Sequence, residues 1–398
     1  MSDNLMAVYN RAPPVFDRGG GCWLFTEDGT AYLDCVAGIA TNGLGHAHPE
    51  LVAALNQQAG KLWHLSNIFR VPGQETLAEK LTAATFADLV FFGNSGSEAV
   101  ECAIKTARRY HAQRGQNERI DIIGFGGSFH GRTYAAINAS GNPNYLEGFG
   151  PRLPGFAQLE LDDLTRIKSA IFSSTAAAVI VEPVQGEGGA RALSGEWLQQ
   201  IRSWCYEAGI LLIYDEIQSG MGRTGKLFAH QWFKGAEPDI MTTAKALGGG
   251  FPVAACLATK EAASCMVFGT HGSTFGGNPL AMAVANAAFD IIASDDIMAN
   301  INRIAHRLTD GLKAIATRYP DVIVDVRGKG LLIGVKLVVN NREFMAAARE
   351  QFLLVAGGGD NCVRLLPALN LTASEAEQVL HRFELTCSAV RHSLADAV

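Results

Sequence analysis

The chain is short of charge. Its 398 residues hold 33 Lys+Arg and 39 Asp+Glu, 18% charged in all, for a formal net charge of -6. Without a basic excess or a basic cluster it has no field to draw nucleic-acid phosphates, so no nucleic-acid partner is expected. No stretch approaches the ~18 consecutive apolar residues of a membrane span, and residues 1–10 contain no apolar run of the kind a signal peptide needs. A cytoplasmic protein with no membrane partner is the expectation. The 8 cysteines form no Cys-x-x-Cys pair, which argues against a zinc ribbon or a redox dithiol and for buried free thiols. Among the 10 histidines there is no His-Glu-x-x-His; His46 and His48 sit in a Gly-rich, Pro-ended turn, and no metal is expected. Internal repeats and low-complexity linkers are absent as well.

What the chain does have is apolar content, 48% of its residues, enough to offset ordering entropy and exclude disorder. At roughly 100–200 residues per domain the length argues for two domains, or one large domain with an appendage. From residue 89 onward short apolar runs alternate with amphipathic stretches, the pattern of βαβ units in a covered parallel sheet. Strands are predicted at 89–92, 120–125, 178–181, 210–214 and 253–258. Helices are predicted at 97–111, with Ala99, Ala103, Ile104, Ala107 and Tyr110 on one face, and at 195–208, with Trp197, Ile201 and Trp204 on one face. The character changes near residue 285. One long helix from there toward 319, a hairpin of 322–326 and 331–337 about Gly328 and Gly330, a strand at 363–366 and a final helix from 374 make a smaller α+β unit. Residues 21–33 read as a hairpin around Asp28-Gly29 that joins it. The expected division is an N-terminal segment 1–50 packing with the small domain, a large domain 51–285 and a small C-terminal domain 286–398.

Three features carry chemistry. Gly93-Asn94-Ser95-Gly96-Ser97-Glu98 lies between an apolar strand and an amphipathic helix, where free N–H groups and the helix dipole make a phosphate site. Ser97 is a candidate for both N-cap and phosphate ligand, and an ordinary capped helix is the plain alternative. Second, the run ending at Tyr214 delivers Asp215 and Glu216 to a sheet edge, where a charge needs a partner; a structural ion pair would also satisfy it. Third, Lys245 occurs in the nearly uncharged segment 242–250, where burial would depress its pKa and leave a nucleophilic amine. Together, a phosphate cradle, a carboxylate at a strand end and a lysine in an apolar loop are what pyridoxal 5'-phosphate requires.

These segments, with 32–46 (YLDCVAGIATNGLGH), 273–279 (STFGGNP) and 361–367 (NCVRLLP), resemble the class III (fold type I) pyridoxal-phosphate-dependent aminotransferases, their acetylornithine branch above all. The resemblance covers nearly the whole chain. It implies an α/β fold, with a large domain built on a mostly parallel sheet covered by helices, plus a smaller α+β domain. It implies transamination of the δ-amine of N2-acetylornithine with 2-oxoglutarate, a step of arginine biosynthesis. Lys245 resembles the Schiff-base lysine and Asp215 the carboxylate that keeps the pyridine nitrogen protonated. Ser95, Gly96 and Ser97 match the phosphate loop, where the family more often has Thr at the last position. Phe129 matches the aromatic that stacks on the ring, Ile217 the packing on its other face and Gln218 the contact to the phenolic oxygen. Thr274 resembles a residue that reaches the phosphate of the neighbouring subunit, which implies a homodimer. On the substrate side, Arg132 resembles the carboxylate-binding arginine, Glu187 a gating glutamate and Arg364 the arginine it engages. An enzyme that alternates between an N-acylornithine and glutamate must hide and expose one positive charge, and such a pair does that; a permanent salt bridge is the alternative.

Ile39 stands where ornithine aminotransferases usually carry a tyrosine for the free α-amine, and an apolar side chain there suits an acylated amine. Sibling ω-aminotransferases acting on succinylornithine, ornithine, 4-aminobutyrate or a diamine are the runner-up. A distant rival is a nucleotide-binding protein, because 220–227 (GMGRTGKL) follows a strand and resembles a P-loop. However, Leu227 replaces the required Ser or Thr and five residues separate Tyr214 from Gly220. A non-catalytic cofactor-binding regulator is disfavoured by the presence of Lys245, Asp215 and the substrate-side arginines.

Overall fold

A computed structural model describes residues 4–396; residues 1–3 of the N-terminal 1–10 segment lie outside it, as do 397 and 398. Near the N-terminus β1 (Phe16–Gly20), β2 (Trp23–Thr26) and β3 (Ala31–Asp34) form an antiparallel ribbon. The central part of the chain supplies β4 (Leu89–Gly93), β5 (Asp121–Phe125), β6 (Phe156–Leu159) and β7 (Ala176–Val181). A two-stranded ribbon of β8 (Val184–Gln185) and β9 (Arg191–Ala192) follows, then β10 (Leu211–Asp215), β11 (Ile240–Thr243) and β12 (Ala254–Ala258). The last strands are β13 (Ile323–Lys329), β14 (Leu332–Leu337), β15 (Leu353–Leu354), β16 (Ala356–Gly358) and β17 (Cys362–Leu365).

The central sheet has seven strands in the order β4-β12-β11-β10-β7-β5-β6. Pairing is parallel from β11 through β6, and β12 runs antiparallel to both of its neighbours. All residues of β7 (AAAVIV) and β10 (LLIYD) are buried, as strands covered on both faces must be, and this continuity made them legible in the sequence. β6 (FAQL) and β11 (IMTT) were not anticipated: one is an edge strand with a central glutamine, the other ends in two threonines, and neither forms a long apolar run. The helix that follows β4 spans Gly96–Ala112 and buries Ala99, Ala103, Ile104 and Ala107 of the predicted face. On Gly195–Ala208 the buried stripe is Leu198, Ile201 and Cys205, so Trp197 and Trp204 flank it instead of forming it.

Beyond the sheet, the single helix predicted from 285 toward 319 is two, Pro279–Ile292 and Asp295–Arg318. Ser294 caps the second by accepting from the Ile297 N–H, with Asp295 and Asp296 in the first turn, so the apolar periodicity continues through a break set by capping. The 323–337 hairpin of β13 and β14 forms, and β17 and β16 complete a four-stranded antiparallel sheet with it. β15 pairs in parallel with β3, tying the N-terminal ribbon to the C-terminal part of the chain. All eight cysteines are free and buried. No helix among the described residues is long and apolar enough to cross a membrane.

Candidate active site

The parallel strands β4, β5, β7, β10 and β11 end on one side of the sheet, and the residues that follow them line a cavity of about 300 Å3. It is here that open α/β sheets place ligands. From the β4 end come Ser95, Gly96 and Ser97; from β5, Phe129, His130 and Arg132; from β7, Glu182 and Glu187; from β10, Asp215, Ile217 and Gln218; from β11, Lys245. Positions more than 100 residues apart in sequence thus meet because each follows a strand of the same sheet.

Ser95, not Ser97, is the N-cap: its hydroxyl accepts from the Glu98 N–H at 3.3 Å, and the Glu98 carboxylate accepts from Ser95 N–H in return. Ser97 lies one residue inside the helix, where its Oγ accepts from Arg132 N–H at 3.1 Å. The N–H groups of Gly96 and Ser97, which an α-helix leaves unpaired, have no hydrogen-bond partner among the described residues. Gly96 has to be glycine, since a Cβ there would sit 2.8 Å from Ile217 Cδ1. Gly131, with φ of 125°, similarly leaves room for Ser97 Oγ, which a Cβ at that position would strike.

Asp215 is 3% exposed and fully engaged. Its Oδ2 lies 2.8 Å from His130 Nδ1, while Oδ1 accepts from Thr242 Oγ1 and from Ile217 N–H, both at 3.1 Å. Burial disfavours a charged His130 imidazole, but the hydrogen bond to Asp215, that carboxylate's charge and Glu182 behind it raise its pKa above the ordinary value. His130 Nε2 is buried without a partner. Lys245 opens a one-turn 3-10 helix (Lys245–Gly248) with φ of 49°, a left-handed conformation that non-glycine residues rarely adopt. Burial lowers its pKa to about 8, against the pull of Glu187, Glu182 and Asp215.

Arg364, on β17, is 1% exposed and sits 2.7 Å from a Glu187 carboxylate oxygen. It is anchored independently: Nε and Nη2 donate to the Gly357 carbonyl at 3.0 and 2.7 Å, and Nη1 donates to Gln218 Oε1 at 3.2 Å. Glu187, 32% exposed and flanked by Gly186, Gly188 and Gly189, has no other ion-pair partner among the described residues. The expected pair is therefore present, with a fixed arginine and a freer glutamate. Arg132 is exposed at the cavity, its guanidinium 3.9 Å from the Tyr145 ring centroid and 5.4 Å from that of Phe129.

Three sequence candidates do not line this cavity; one, Arg364, touches it through Glu187 and Gln218, which do. Ile39, at φ of 59°, packs among Ala40, Val184, Leu332 and Leu366, and Thr41 takes the lining position instead. Thr274 is exposed on the 266–275 segment and is not among the lining residues, although the Asn94 side chain, which lines the cavity, donates to Ser273 Oγ beside it. The P-loop reading of 220–227 is corrected. That segment is a run of turns, with Gly222 and Gly225 at positive φ, followed only by a one-turn 3-10 helix (Ala229–Trp232). Hence it presents no helix N-terminus to a phosphate. Among the described residues no group of three or more His, Cys, Asp or Glu side chains is placed to hold a metal, and His46 bonds Asp34 at 2.8 Å. Sequence reading missed His130, Glu182, Thr242 and Tyr145. The signals were adjacency to Phe129 for His130, position at the end of the predicted strand 178–181 for Glu182 and place in the 242–250 segment for Thr242; for Tyr145 it was only tertiary.

The donor set fits pyridoxal 5'-phosphate: free helix N-terminal amides for a phosphate, a buried carboxylate for a ring nitrogen, and an amine of lowered pKa for an aldehyde. The chain matches the family model of Aminotransferase class-III over residues 6–387. It is 63% identical to acetylornithine aminotransferase 2 of Caulobacter vibrioides over 392 residues, 98% of this chain and 97% of that one. In fold it is similar to the N-acetylornithine aminotransferase of Stenotrophomonas maltophilia K279a, with a TM-score of 0.85, 38% identity and coverage of 97% and 98%. It is also similar to the ornithine aminotransferase of Toxoplasma gondii ME49, with a TM-score of 0.93, 30% identity and coverage of 98% and 94%.

Proposed function

The chain belongs to the class III aminotransferases, and from that premise we propose that it transfers the δ-amino group of N2-acetylornithine to 2-oxoglutarate, giving N-acetylglutamate 5-semialdehyde and glutamate, within arginine biosynthesis. The observation that carries the donor is identity, 63% over nearly the full length to a protein named for acetylornithine. The ornithine aminotransferase of Toxoplasma gondii superimposes more closely but shares only 30% of residues. A shared backbone speaks for the family, whereas substrate choice lies in side chains.

The cofactor of the family, pyridoxal 5'-phosphate, supplies when bound an aldehyde that reacts with amines and a ring that withdraws charge from the carbon losing its proton. Gly96, Ser97 and the Ser95-capped helix would hold the phosphate, Asp215 the ring nitrogen, and Phe129 with Ile217 the ring. Lys245 Nζ serves as the amine and as the base that moves the proton, a task eased by a pKa near neutrality. Asp215 is a buried carboxyl held by His130 and Thr242, so that it needs no reorientation. Arg132 receives the carboxylate distal to the reacting amine. Arg364 receives the second carboxylate of glutamate once Glu187 leaves it, and is covered by Glu187 when acetylornithine is bound.

The protein acts in the cytoplasm as a homodimer in which Thr274 reaches the partner's phosphate site. Supporting the dimer, Trp63, Ile68, Phe69, Phe268 and Phe275 expose large apolar surfaces on segments 62–69 and 266–275, more than a monomer normally leaves in water. The test is a donor panel with 2-oxoglutarate: acetylornithine should exceed succinylornithine, ornithine and 4-aminobutyrate in kcat/KM. A preference for free ornithine would overturn the proposal.

A further inference from the structure

Glu182 is a buried carboxylate to which the function above gives no task. It is the residue directly after the fully buried β7 and is 5% exposed, yet it makes no ion pair among the described residues. Each oxygen instead accepts one backbone N–H. Oε1 takes that of Phe129 at 2.8 Å, and Oε2 takes that of Gly186 at 3.0 Å. These two amides belong to different loops. The first carries the aromatic ring that lines the cavity beside Arg132; the second is the root of the glycine-flanked segment that carries Glu187.

We propose that Glu182 is a positioning residue that clamps the Phe129 loop and the root of the Glu187 gate to one rigid strand end, so that the ring wall and the gate keep a common frame. The proposal rests on the aminotransferase reading of this cavity. Why a carboxylate is used follows from its two acceptor oxygens: an amide of the same shape accepts at only one and meets the second N–H with its own donor. The Gly186 N–H has no acceptor but Glu182, although the neighbouring Gln185 side chain also reaches the Phe129 loop, donating to the Gly126 carbonyl at 2.9 Å. Gly186 cannot gain a side chain, because a Cβ would collide with Gln218 Oε1, and that oxygen already accepts from Arg364. A slackened Gly186 amide therefore shifts Glu187 against the anchored Arg364, while leaving Lys245 and the Ser95-Gly96-Ser97 loop in place.

A second consequence concerns pH. Glu182 faces His130 and Asp215 from the β5 and β10 ends and Lys245 from the β11 end. Burial, with Asp215 adding to it, brings its pKa up to about 7, against the opposing pull of His130 and of its two N–H bonds. A raised carboxyl pKa leaves the group neutral below about 7, where one oxygen becomes a hydroxyl, a donor and a weaker acceptor for the N–H that faces it. The clamp is thus complete above that pH and loosens as pH falls through it.

The test is Glu182→Gln in the holoenzyme, read first by amide hydrogen exchange of peptides spanning 126–131 and 183–190, corrected for intrinsic rates. Exchange in at least one of these peptides should rise about tenfold or more, the loss of a charge-assisted hydrogen bond, with cofactor still retained. Single-turnover rates should show the ratio of acetylornithine to glutamate reactivity moving several-fold in the variant. Wild-type protection of 183–190 should fall as pH drops through about 7, and that of the variant should not; this wild-type arm stands even if the variant fails to fold. Wild-type protection in both peptides for the variant, or no pH dependence in the wild type, overturns the clamp. Since exchange does not depend on the amine donor, a wrong donor assignment leaves this result unaffected.

Discussion

Removing the Glu187 carboxylate tests the charge switch directly. Arg364 holds Gly357 and Gln218 through three hydrogen bonds that do not involve Glu187, so Glu187→Ala leaves the guanidinium in place and uncovered. In the wild type, glutamate must first displace Glu187 from a 2.7 Å contact. A charge-assisted hydrogen bond contributes about 1.5–3 kcal/mol; with Glu187 32% exposed, solvent screening favours the lower end, about 1.5 kcal/mol or tenfold. Glu187→Ala should therefore spare or raise kcat/KM for the glutamate half-reaction by up to about tenfold. The acetylornithine half-reaction should fall, since the bare arginine draws the donor's single carboxylate into the wrong end of the cavity. Arg364→Ala should do the reverse, losing glutamate reactivity by roughly 2–5 kcal/mol, and Arg132→Ala should harm both halves. The assay is stopped-flow single turnover on each half-reaction with each variant. Equal losses on both substrates for Glu187→Ala would refute the switch and leave a structural ion pair.

Lys245→Ala should abolish transamination while the circular dichroism spectrum stays that of the wild type; turnover near the wild-type rate would remove the lysine from its role. In the wild type, uptake of pyridoxal phosphate by cofactor-free protein should speed up as pH rises through about 8, because the amine reacts only when neutral and burial places its pKa there; a flat profile by absorbance would contradict this. Asp215→Asn should cut turnover at least about a hundredfold, the scale of losing a fixed electrostatic partner, yet retain cofactor through the phosphate side, as equilibrium dialysis would show. Sedimentation should give twice the 42.4 kDa chain mass, and Thr274→Ala should weaken cofactor retention; an active monomer would refute the shared site.

The sequence by itself determined whatever local chemistry encodes. Strands buried on both faces, β7 and β10, appear as unbroken apolar runs because every side chain needs the same environment. The phosphate-type turn appears because glycine and a capping serine are demanded by backbone geometry at one spot, although which serine caps, Ser95 and not the expected Ser97, was decided by the fold. Lys245 and Asp215 stood out because a charge beside apolar runs is costly without a purpose. Only the tertiary structure decided the rest. β6 and β11 owe their strand conformation to neighbours across the sheet rather than to their own composition, and the break at Ser294 is a matter of capping within a continuous apolar rhythm. Ile39 left the cavity and Thr41 entered it because left-handed backbone at Ala37, Ile39 and Ala40 turns the chain in a way that no side-chain pattern records. Glu182 and His130 acquire their shifted protonation from groups that arrive from other strand ends. Burial and charge proximity are properties of three-dimensional neighbourhood, and a linear sequence of residue types does not contain that information until the chain has folded.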